Sequence, residues 1–477
     1  MVEPRLAAQV TARMAATRTL TETLADYWSA ARYEDLPPDT VRLAKRFLID
    51  TLAAGIAGAK TDVVDAALGA AQSAVEARSG SAALWGRPET LPAPMAAMVN
   101  GTAAHALELD DFGGCGHSGA VVTPALCALA GRVSFSGKEA ITALVAGYDL
   151  AARTLEGAGG YRPHNDLGWH STGTCGSFGA AAVSARLLGL DAERFSDALG
   201  VAGTFTGGIW AFLADGAMTK RFHPGKAAEN GLTAALLAQS GMTGPRQVLE
   251  AEWGGFFSTY ARGIAAPEAT LAGLGREFRI ERSGMKPYAC CRGLHACQDA
   301  LFDLMHELGV DSTQIAGMVV HGNDQYRRQF DRLEIGGMLD AQFSIQYVLA
   351  VGATSGRGTL DQFSPLRTNE PEVQRLMRAT TVLADRTVKP GQYPPLEIIL
   401  SDGRRMERFI PFAKGAPERP LTDAELKVKT DSLLVPALGA ARAKELTDTI
   451  AGLESVQDFG EVIRLLVPQA QAPQRAA

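Results

Sequence analysis

The segment GKAAENGLTAALLAQSG, residues 225–241, carries the pattern that decides the fold, because alanine and glycine recur among leucines at helical spacing. Three other stretches share this small-residue character: residues 100–107 (NGTAAHAL), 121–131 (VVTPALCALAG) and 176–189 (GSFGAAAVSARLLG). Helices that present alanine and glycine can approach each other closely. The pattern therefore predicts a tightly packed helical core.

Helical signals extend from this core towards both ends of the chain. Near the N-terminus, one helical face at spacing i, i+4, i+7 and i+8 is formed by Leu20, Leu24, Tyr27 and Trp28. The triplet Pro37-Pro38-Asp39 predicts the start of the next helix, with Asp39 as its N-cap. Towards the C-terminus, Thr422-Asp423-Ala424-Glu425 has the sequence of a capping box and predicts another helix start.

The pattern changes near Met285. Residues 314–321 (QIAGMVVH) are rich in β-forming side chains, and residues 396–410 alternate in polarity around Asp402-Gly403, which indicates a hairpin. Helical patterns lie between these strands, so we predict a mixed α+β unit here. The chain is thus expected to run from helices through a mixed unit and back to helices.

Charge and composition exclude several classes of protein. The 477 residues include 46 Lys+Arg and 52 Asp+Glu, a formal net charge of −6, whereas a nucleic-acid binder needs a basic surface. No window approaches the ~18 apolar residues of a membrane-spanning helix, so no membrane partner is expected. The N-terminus lacks the apolar region of a signal peptide, and the six cysteines are too irregular for a disulfide scaffold. We therefore expect a cytoplasmic protein.

Four histidines share one local setting, in or beside a Gly- or Pro-containing turn at the start of a small-residue helix: His117, His170, His223 and His295. Helix N-termini present free N–H groups and a partial positive charge, and so attract anions. Basic residues gather near the same turns: Lys220, Arg221, Lys226, Lys286 and Arg292. If these residues converge in space, they predict a pocket for a di- or tricarboxylate. Any single histidine of this kind can equally be a helix cap or a core side chain.

Three acids precede His117 within ten residues: Glu108, Asp110 and Asp111. They can supply or orient a general base, or they can be caps and solvated charges. The segment CCRGLHAC, residues 290–297, has no second Cys/His pair nearby, so we expect no metal site. GRVSFSGK, residues 131–138, has the wrong spacing for a phosphate-binding loop, and no nucleotide is expected.

Five ordered motifs resemble those of the MmgE/PrpD family, which contains 2-methylcitrate dehydratases, cis-aconitate decarboxylases and iminodisuccinate epimerases. The motifs span residues 100–130 (NGTAAHALELDDFGGCGHSGAVVTPALCALA), 169–191 (WHSTGTCGSFGAAAVSARLLGLD), 219–245 (TKRFHPGKAAENGLTAALLAQSGMTGP), 286–301 (KPYACCRGLHACQDAL) and 341–350 (AQFSIQYVLA). The match extends over roughly residues 19–465.

The resemblance implies a mainly α fold, with a large helical domain built from both chain ends and a smaller inserted α+β domain. The expected divisions are residues 17–280 and 416–466 for the helical domain, 281–415 for the α+β domain, and 1–16 and 467–477 for flexible tails. It also implies an active site in the cleft between the domains, a homodimer, and no cofactor, iron–sulfur cluster or metal.

Residue by residue, the family's active-site positions match His117, His170, Lys220, His295 and Tyr347. We take Lys220 and His170 as the candidate base and cation for removing a proton next to a carboxylate, and His117 and Tyr347 as the acid or the opposite-face base. The substrate carboxylates are expected to be held by Arg292, Lys286, Arg221, His223 and His295. Glu108, Asp110 and Asp111 are expected to orient the histidines or shape the pocket.

The expected activity is that of a hydro-lyase acting on a 2-methylcitrate-like acid without a cofactor. One alternative is an epimerase of an amino- or imino-dicarboxylate, because two opposed bases suffice for that outcome. A second is a cis-aconitate-like decarboxylase, which Glu108 disfavours because decarboxylase-type members have aspartate at this position. A non-enzymatic alternative is a silent binding protein of the same fold.

Overall fold

A computed structural model describes residues 18–75, 80–363, 365–384 and 393–468 of the chain. The tails predicted at residues 1–16 and 467–477 lie outside this described part, apart from Val467 and Pro468.

The N-terminal part of the chain is a succession of helices. Their bounds are α1 (Leu20–Ala30), α2 (Pro38–Gly58), α3 (Asp62–Ala74), α4 (Ala93–His105), α5 (Gly119–Leu129), α6 (Gly137–Gly157), α7 (Tyr161–Asp166), α8 (Ser171–Leu187), α9 (Ala192–Ala202), α10 (Thr219–Gln239) and α11 (Phe256–Tyr260). The four small-residue stretches fall in α4, α5, α8 and α10, as predicted.

The helix α10 packs against α4 and α8 at the centre of this part. The backbones approach so closely that a Cβ atom on Gly101 of α4 would lie 2.7 Å from the Cα atom of Gly225 in α10. A Cβ atom on Gly231 would lie 2.4 Å from the backbone nitrogen of Ala181 in α8. The small residues are therefore required by the packing of these helices, and the predicted tight core is confirmed.

The second part of the chain combines helices with a four-stranded sheet. Its helices are α12 (His295–Leu308), α13 (Asp324–Phe330), α14 (Met338–Gln342), α15 (Ile345–Ser355) and α16 (Pro371–Arg378). The strands of the described chain are β1 (Ala82–Ala83), β2 (Thr90–Leu91), β3 (Asp111–Phe112), β4 (Gly284–Met285), β5 (Ile315–Gly322), β6 (Thr380–Ala384), β7 (Leu396–Leu400) and β8 (Arg405–Arg408).

The sheet has the order β6-β5-β7-β8. The pair β5 and β6 is parallel, whereas β5 with β7 and β7 with β8 are antiparallel. The predicted hairpin connects β7 to β8, and Gly403 in its turn has φ +89°, a backbone conformation that glycine adopts without steric cost. The helix α12 packs against β7 and β8 of this sheet.

The chain then returns to the first group of helices through α17 (Asp423–Leu438), α18 (Ala440–Ala451) and α19 (Gly460–Leu465). The predicted capping box is present, since the Thr422 side chain accepts a hydrogen bond from the Glu425 backbone N–H. The helix α17 packs against α2, and Lys429 Nζ donates to Asp50 at 2.5 Å. The prediction of a mainly α fold with a small sheet is confirmed.

The predicted start of α2 needs one correction. Pro38 is the first helical residue and Pro37 is the N-cap, so Asp39 lies inside the first turn. Proline suits this position because its φ is already helical and the first helical N–H groups have no intrahelical partner.

None of the helices in the described ranges is long and apolar enough to cross a lipid bilayer.

Candidate active site

A cavity of about 470 Å³ lies where the first group of helices meets the α+β part of the chain. Five of the residues predicted for the site line it: Glu108, His117, Lys220, Lys286 and Arg292. Aromatic side chains supply much of the remaining wall: Phe112, Tyr161, Trp210, Tyr326, Phe343 and Tyr393. The cavity therefore combines clustered charges with apolar surface, as small-molecule sites do.

Helix ends and one short strand pair bring these residues together. His105 ends α4 and Lys220 lies in the first turn of α10, and these two helices pack against each other. The strand β3 pairs antiparallel with β4, with Asp111 opposite Met285. This pairing sets the acidic segment that contains Glu108 beside Lys286, the residue that follows β4.

A buried chain of hydrogen bonds runs from Asp110 through His105 to Lys220. His105 Nδ1 lies 2.9 Å from Asp110 Oδ2, and His105 Nε2 lies 3.1 Å from Lys220 Nζ. Burial lowers the pKa of His105 to about 3, so its ring is neutral. Burial opposes ionisation of Asp110, but the neighbouring His105, His117 and Lys286 outweigh it and hold the pKa of this carboxyl well below its usual value. The Nδ1–H of His105 thus donates to the Asp110 carboxylate, and its Nε2 accepts from the Lys220 ammonium.

Glu108 bridges the two lysines of the cavity. Its carboxylate accepts a hydrogen bond from Lys286 Nζ at 3.0 Å and forms an ion pair with Lys220. Although burial opposes ionisation, the two ammonium groups hold the pKa of Glu108 well below its usual value. Burial likewise opposes the charge of Lys286, but Glu108 and Asp110 outweigh it and raise the pKa of this lysine.

The backbone of Glu108 is strained. Its φ is +55°, and it alone among the described non-glycine residues has positive φ. Such a conformation costs on the order of 1–3 kcal/mol and persists where the surrounding structure enforces it, often at functional sites. The strained residue is the one that bridges Lys220 and Lys286, which indicates that this bridge has a functional role.

His117 lines the cavity, and its contacts fix its tautomer. Its Nδ1 lies 2.8 Å from the carbonyl oxygen of Asp111 and 3.0 Å from Asp110 Oδ2. A carbonyl oxygen can only accept, so Nδ1 carries the proton. In the neutral ring, Nε2 then holds a lone pair that can accept a proton.

The buried His170 and the half-buried His223 form a pair beside this group. Their Nδ1 atoms are 2.9 Å apart, and His170 is the N-cap residue of α8. Burial holds the pKa of His170 well below its usual value and lowers that of His223 to about 4. The ring of Trp210 meets His170 edge-on at 5.2 Å between centroids. Neither histidine is among the residues that line the cavity.

Arg292 lies in the cavity wall with its guanidinium 4.0 Å from the centre of the Phe112 ring. Its terminal nitrogens donate to the carbonyl oxygens of Lys414 and Ala413, each at 2.8 Å. The buried Nε of Arg292 has no hydrogen-bond partner within the described residues. His295 donates from Nε2 to the Cys290 carbonyl at 3.1 Å and contacts Arg292 through Nδ1 at 3.2 Å. His295 therefore positions Arg292 instead of lining the cavity.

The structure does not bring Asp111, Arg221 or Tyr347 to the cavity wall. The Asp111 carboxyl accepts from the Gly119 backbone N–H at 3.0 Å and from the Tyr148 hydroxyl at 2.9 Å. Burial, together with the charge of Asp110, raises the pKa of Asp111 to about 8. Asp111 therefore stabilises the start of α5 through the Gly119 N–H.

Tyr347 and Arg221 form hydrogen bonds with residues that do not line the cavity or with the backbone. The Tyr347 hydroxyl donates to the Gln362 carbonyl at 2.6 Å and accepts from the Arg367 backbone N–H at 3.0 Å. In this arrangement the hydroxyl does not point to the cavity as an acid or a base would. Arg221 donates to the side-chain oxygen of Gln342 at 2.9 Å. The amide of Gln342 donates in turn to the carbonyls of the Leu107 and Ala289 residues, which ties the acidic segment to the segment after Lys286.

Sequence analysis did not single out His105, although it lies five residues before Asp110 in the same motif. The spacing itself was the available signal, but the contact to Lys220 spans 115 residues and has no local signature. The mouth of the cavity was also missed. There, Arg162 of α7 donates to Gln325 of α13 at 2.8 Å and joins the two parts of the protein.

Two family models match this chain. The MmgE/PrpD N-terminal domain matches residues 22–267, and the MmgE/PrpD C-terminal domain matches residues 288–455.

Three related proteins align with this chain, two over most of it and one over about half. The cis-aconitate decarboxylase-like protein oryM of Aspergillus oryzae is 29% identical over 94% of this chain and 97% of its own length. Human cis-aconitate decarboxylase is 27% identical over 94% of this chain and 95% of its own. The mitochondrial 2-methylcitrate dehydratase of Yarrowia lipolytica is 24% identical over 48% of this chain and 46% of its own.

Proposed function

The chain belongs to the MmgE/PrpD family, and from this premise we propose that it is a lyase that breaks a bond next to a carboxylate of a small di- or tricarboxylic acid. One observation carries the proposal. Lys220, Lys286 and His117 line one cavity, and the strained, buried Glu108 links the two lysines.

The two ammonium groups supply what this chemistry needs most. Removing a proton from carbon next to a carboxylate places negative charge on the carboxylate oxygens, and fixed positive charges in a buried site stabilise that charge strongly. The Glu108 carboxylate pairs with both lysines and so holds the two side chains at the cavity. Arg292 adds a further positive charge in the cavity wall.

His117 is the proposed base. Its Nδ1–H is fixed by oxygen acceptors, so the neutral ring can accept a proton only at Nε2. This assignment differs from the sequence-based one, which took Lys220 and His170 as the central pair. Lys220 donates to Glu108 and His105 in the structure, which supports a role as cation and proton donor.

We propose dehydration of a 2-methylcitrate-like acid as the first candidate reaction. His117 takes the proton, the C–H electron pair becomes the new carbon–carbon double bond, and the carbon–oxygen bond on the neighbouring carbon breaks. The departing hydroxyl takes a proton from Lys220 and leaves as water. All three steps use side chains of this chain.

Decarboxylation of a cis-aconitate-like acid is the second candidate. The observation that favours it is the extent of the matches, because decarboxylase relatives align over 92–94% of this chain and the dehydratase over 48%. Here the bond between carbon and a carboxylate breaks, carbon dioxide leaves, and the remaining electron pair takes a proton from a donor of the site. The same ammonium groups stabilise the charge in both reactions.

The test is NMR of the purified protein in D₂O, with EDTA present, against citrate, 2-methylcitrate, cis-aconitate, malate and iminodisuccinate. For the first candidate we expect loss of water, with deuterium entering next to a carboxylate only through the reverse reaction. For the second we expect release of carbon dioxide, with deuterium on the carbon that loses it. Exchange with inversion and no bond cleavage would instead identify an epimerase. Absence of exchange, of water loss and of carbon dioxide release with every acid would contradict the proposal.

A matched pair of variants ties the activity to the site. Lys220→Met removes the buried ammonium, whereas Lys226→Met removes an exposed lysine of the same helix that pairs with Glu229. We expect the first variant to lose turnover and the second to keep it. Full turnover in Lys220→Met would overturn the proposed roles.

The homodimer expected from the family resemblance is part of the proposal. Light scattering on the eluted protein tests it, and a mass near the 50.3 kDa of one chain would contradict it.

A further inference from the structure

Three histidines converge beside the cavity, on the side where Lys220 lies. One ring nitrogen each of His105, His117 and His170 lies within 4.8 Å of those of the other two, and all three residues are buried. They come from three separate elements: the end of α4, the loop before α5 and the cap of α8. The proposed reaction uses His117 alone as a base, so the convergence has no explanation in that step.

Two of the histidines are already oriented as metal-binding histidines are. His105 donates through Nδ1 to the Asp110 carboxylate, and His117 donates through Nδ1 to the Asp111 carbonyl. Metal-binding histidines almost always donate their other ring N–H to a carboxylate or a carbonyl oxygen. This arrangement places the lone pair of each neutral ring on Nε2, the atom that would bind a cation.

Glu108 lies next to one of these three histidines and offers a carboxylate as a fourth donor. Its Oε1 lies 3.8 Å from His105 Nε2, and its side chain is buried. Three imidazoles and a carboxylate form a ligand set that suits Zn²⁺ and other divalent first-row ions. Metal–nitrogen bonds of about 2.0–2.1 Å imply ligand atoms about 3.4 Å apart, so the rings need to close by roughly 1 Å.

The ammonium group of Lys220 already lies next to two of these donors. Its Nζ lies 3.1 Å from His105 Nε2 and pairs with Glu108. His105 and Glu108 therefore already bind a positive charge in this structure.

We propose that His105, His117, His170 and Glu108 form a binding site for a divalent transition-metal ion, and that the Lys220 ammonium competes with the ion for it. Zn²⁺ or Co²⁺ entering the site displaces Lys220 from His105 and Glu108. It thereby removes the proposed proton donor and blocks the proposed base, so these ions inhibit the enzyme. Mg²⁺ and Ca²⁺ do not, because they prefer oxygen ligands.

The test is a Co²⁺ titration followed by visible absorption, on the wild-type protein and on Lys220→Met. Four-coordinate Co²⁺ gives intense visible bands that the aqueous ion lacks. We expect Lys220→Met to bind at least about tenfold more tightly than wild type, because a positive charge next to the metal is removed and His105 Nε2 is freed. Equal affinities, or the spectrum of the aqueous ion in both proteins, would overturn the proposal.

Lys286→Met is the matched control. It removes a buried ammonium from the other oxygen of Glu108 but frees no histidine nitrogen. We expect a smaller gain in affinity than in Lys220→Met. An equal gain would mean that net charge alone attracts the ion and would contradict the competition at His105.

A second measurement keeps the proposal testable if Lys220→Met fails to fold. Calorimetric titration of the wild-type protein with Zn²⁺ should give one site per chain, weakened at least about tenfold in His105→Asn and unchanged in His306→Asn, an exposed histidine of α12. Unchanged binding in His105→Asn would overturn the proposal. Because binding is measured without turnover, this result is independent of the proposed lyase reaction.

Discussion

The carboxylate of Glu108 accepts a hydrogen bond from the ammonium of Lys286 at 3.0 Å, although 178 positions separate the two residues in the chain. Both side chains are buried, and the pairing of β3 with β4 sets their segments side by side. Glu108 contacts Lys220 with its other oxygen. The pair thus joins the loop after α4 to the segment that follows β4.

Glu108→Gln should destabilise the protein strongly, because it leaves two buried ammonium groups without their counter-charge. Breaking a buried ion pair by removing one partner costs about 3–5 kcal/mol. Urea denaturation measures the change in the free energy of unfolding. The control is Asp448→Asn, which breaks the exposed pair with Lys444 and should cost less than about 1 kcal/mol. Equal effects of the two substitutions would contradict the bridging role of Glu108.

His117→Asn should lower kcat by about 10²–10⁴-fold on the substrate found by NMR, because it removes the proposed base. The KM should change much less, since Lys286 and Arg292 hold the carboxylates in the proposed complex. Steady-state kinetics separate the two constants. The matched control is His306→Asn, which changes an exposed histidine and should leave both constants unaltered. A His117→Asn enzyme with normal kcat would rule out this base.

Asp111 should make the protein less stable as the pH rises from about 4 towards 8. Burial, then the charge of Asp110, raises the pKa of Asp111 to about 8 in the folded state. The unfolded chain releases this proton near its ordinary pKa of about 3.9, so between these values the folded state binds more protons and stability falls with pH.

Asp111→Asn removes this dependence and keeps an oxygen acceptor for the Gly119 N–H. Relative to wild type, the variant should therefore gain about 1–3 kcal/mol of stability between pH 5 and pH 7. Denaturation curves at the two pH values measure it. Parallel pH profiles of the two proteins would show that Asp111 already ionises below pH 5.

Gly231→Ala should disrupt the packing of α10 on α8. The added Cβ would lie 2.4 Å from the Ala181 backbone nitrogen, and backbone cannot give way cheaply. Overpacking of this kind costs about 1–3 kcal/mol, and the shift of α10 should also reduce turnover by moving Lys220.

Gly69→Ala is the control for that substitution. A Cβ at this helical position meets no atom within 4 Å, so the variant should be as stable as wild type or about 0.5–1 kcal/mol more stable. Thermal unfolding of both variants checks the pair. A stable and fully active Gly231→Ala protein would contradict the tight approach of α8 and α10.

Much of the fold could be predicted from the sequence because its signals are local. Alanine and glycine at helical spacing mark α4, α5, α8 and α10, and Asp402-Gly403 between alternating stretches marks the β7–β8 hairpin. The side chain that caps α17 stands three residues from its partner. Each of these patterns is complete within a few turns of chain, so no distant residue was needed to interpret it.

The membership of the site was only partly predictable. Residue type and nearby turns indicated Glu108, His117, Lys220, Lys286 and Arg292, which do line the cavity. The same criteria also selected His295, and the family resemblance selected Tyr347. In the structure, His295 Nε2 donates to the Cys290 carbonyl and the Tyr347 hydroxyl donates to the Gln362 carbonyl. Which way a side chain points depends on the packing of its helix, and helix packing joins residues far apart in sequence.

The sequence by itself determined that the chain forms a mainly helical protein with an inserted sheet and that it carries clustered acids, lysines and histidines. Only the tertiary structure decided that His105 contacts Lys220 and that Glu108 joins two lysines in a strained backbone conformation. Burial then set the charges, keeping His105 neutral and Asp111 protonated at neutral pH. The reason is physical: helix and hairpin formation depends on neighbouring residues, whereas pKa values and donor geometry depend on which distant groups surround a side chain after it leaves water.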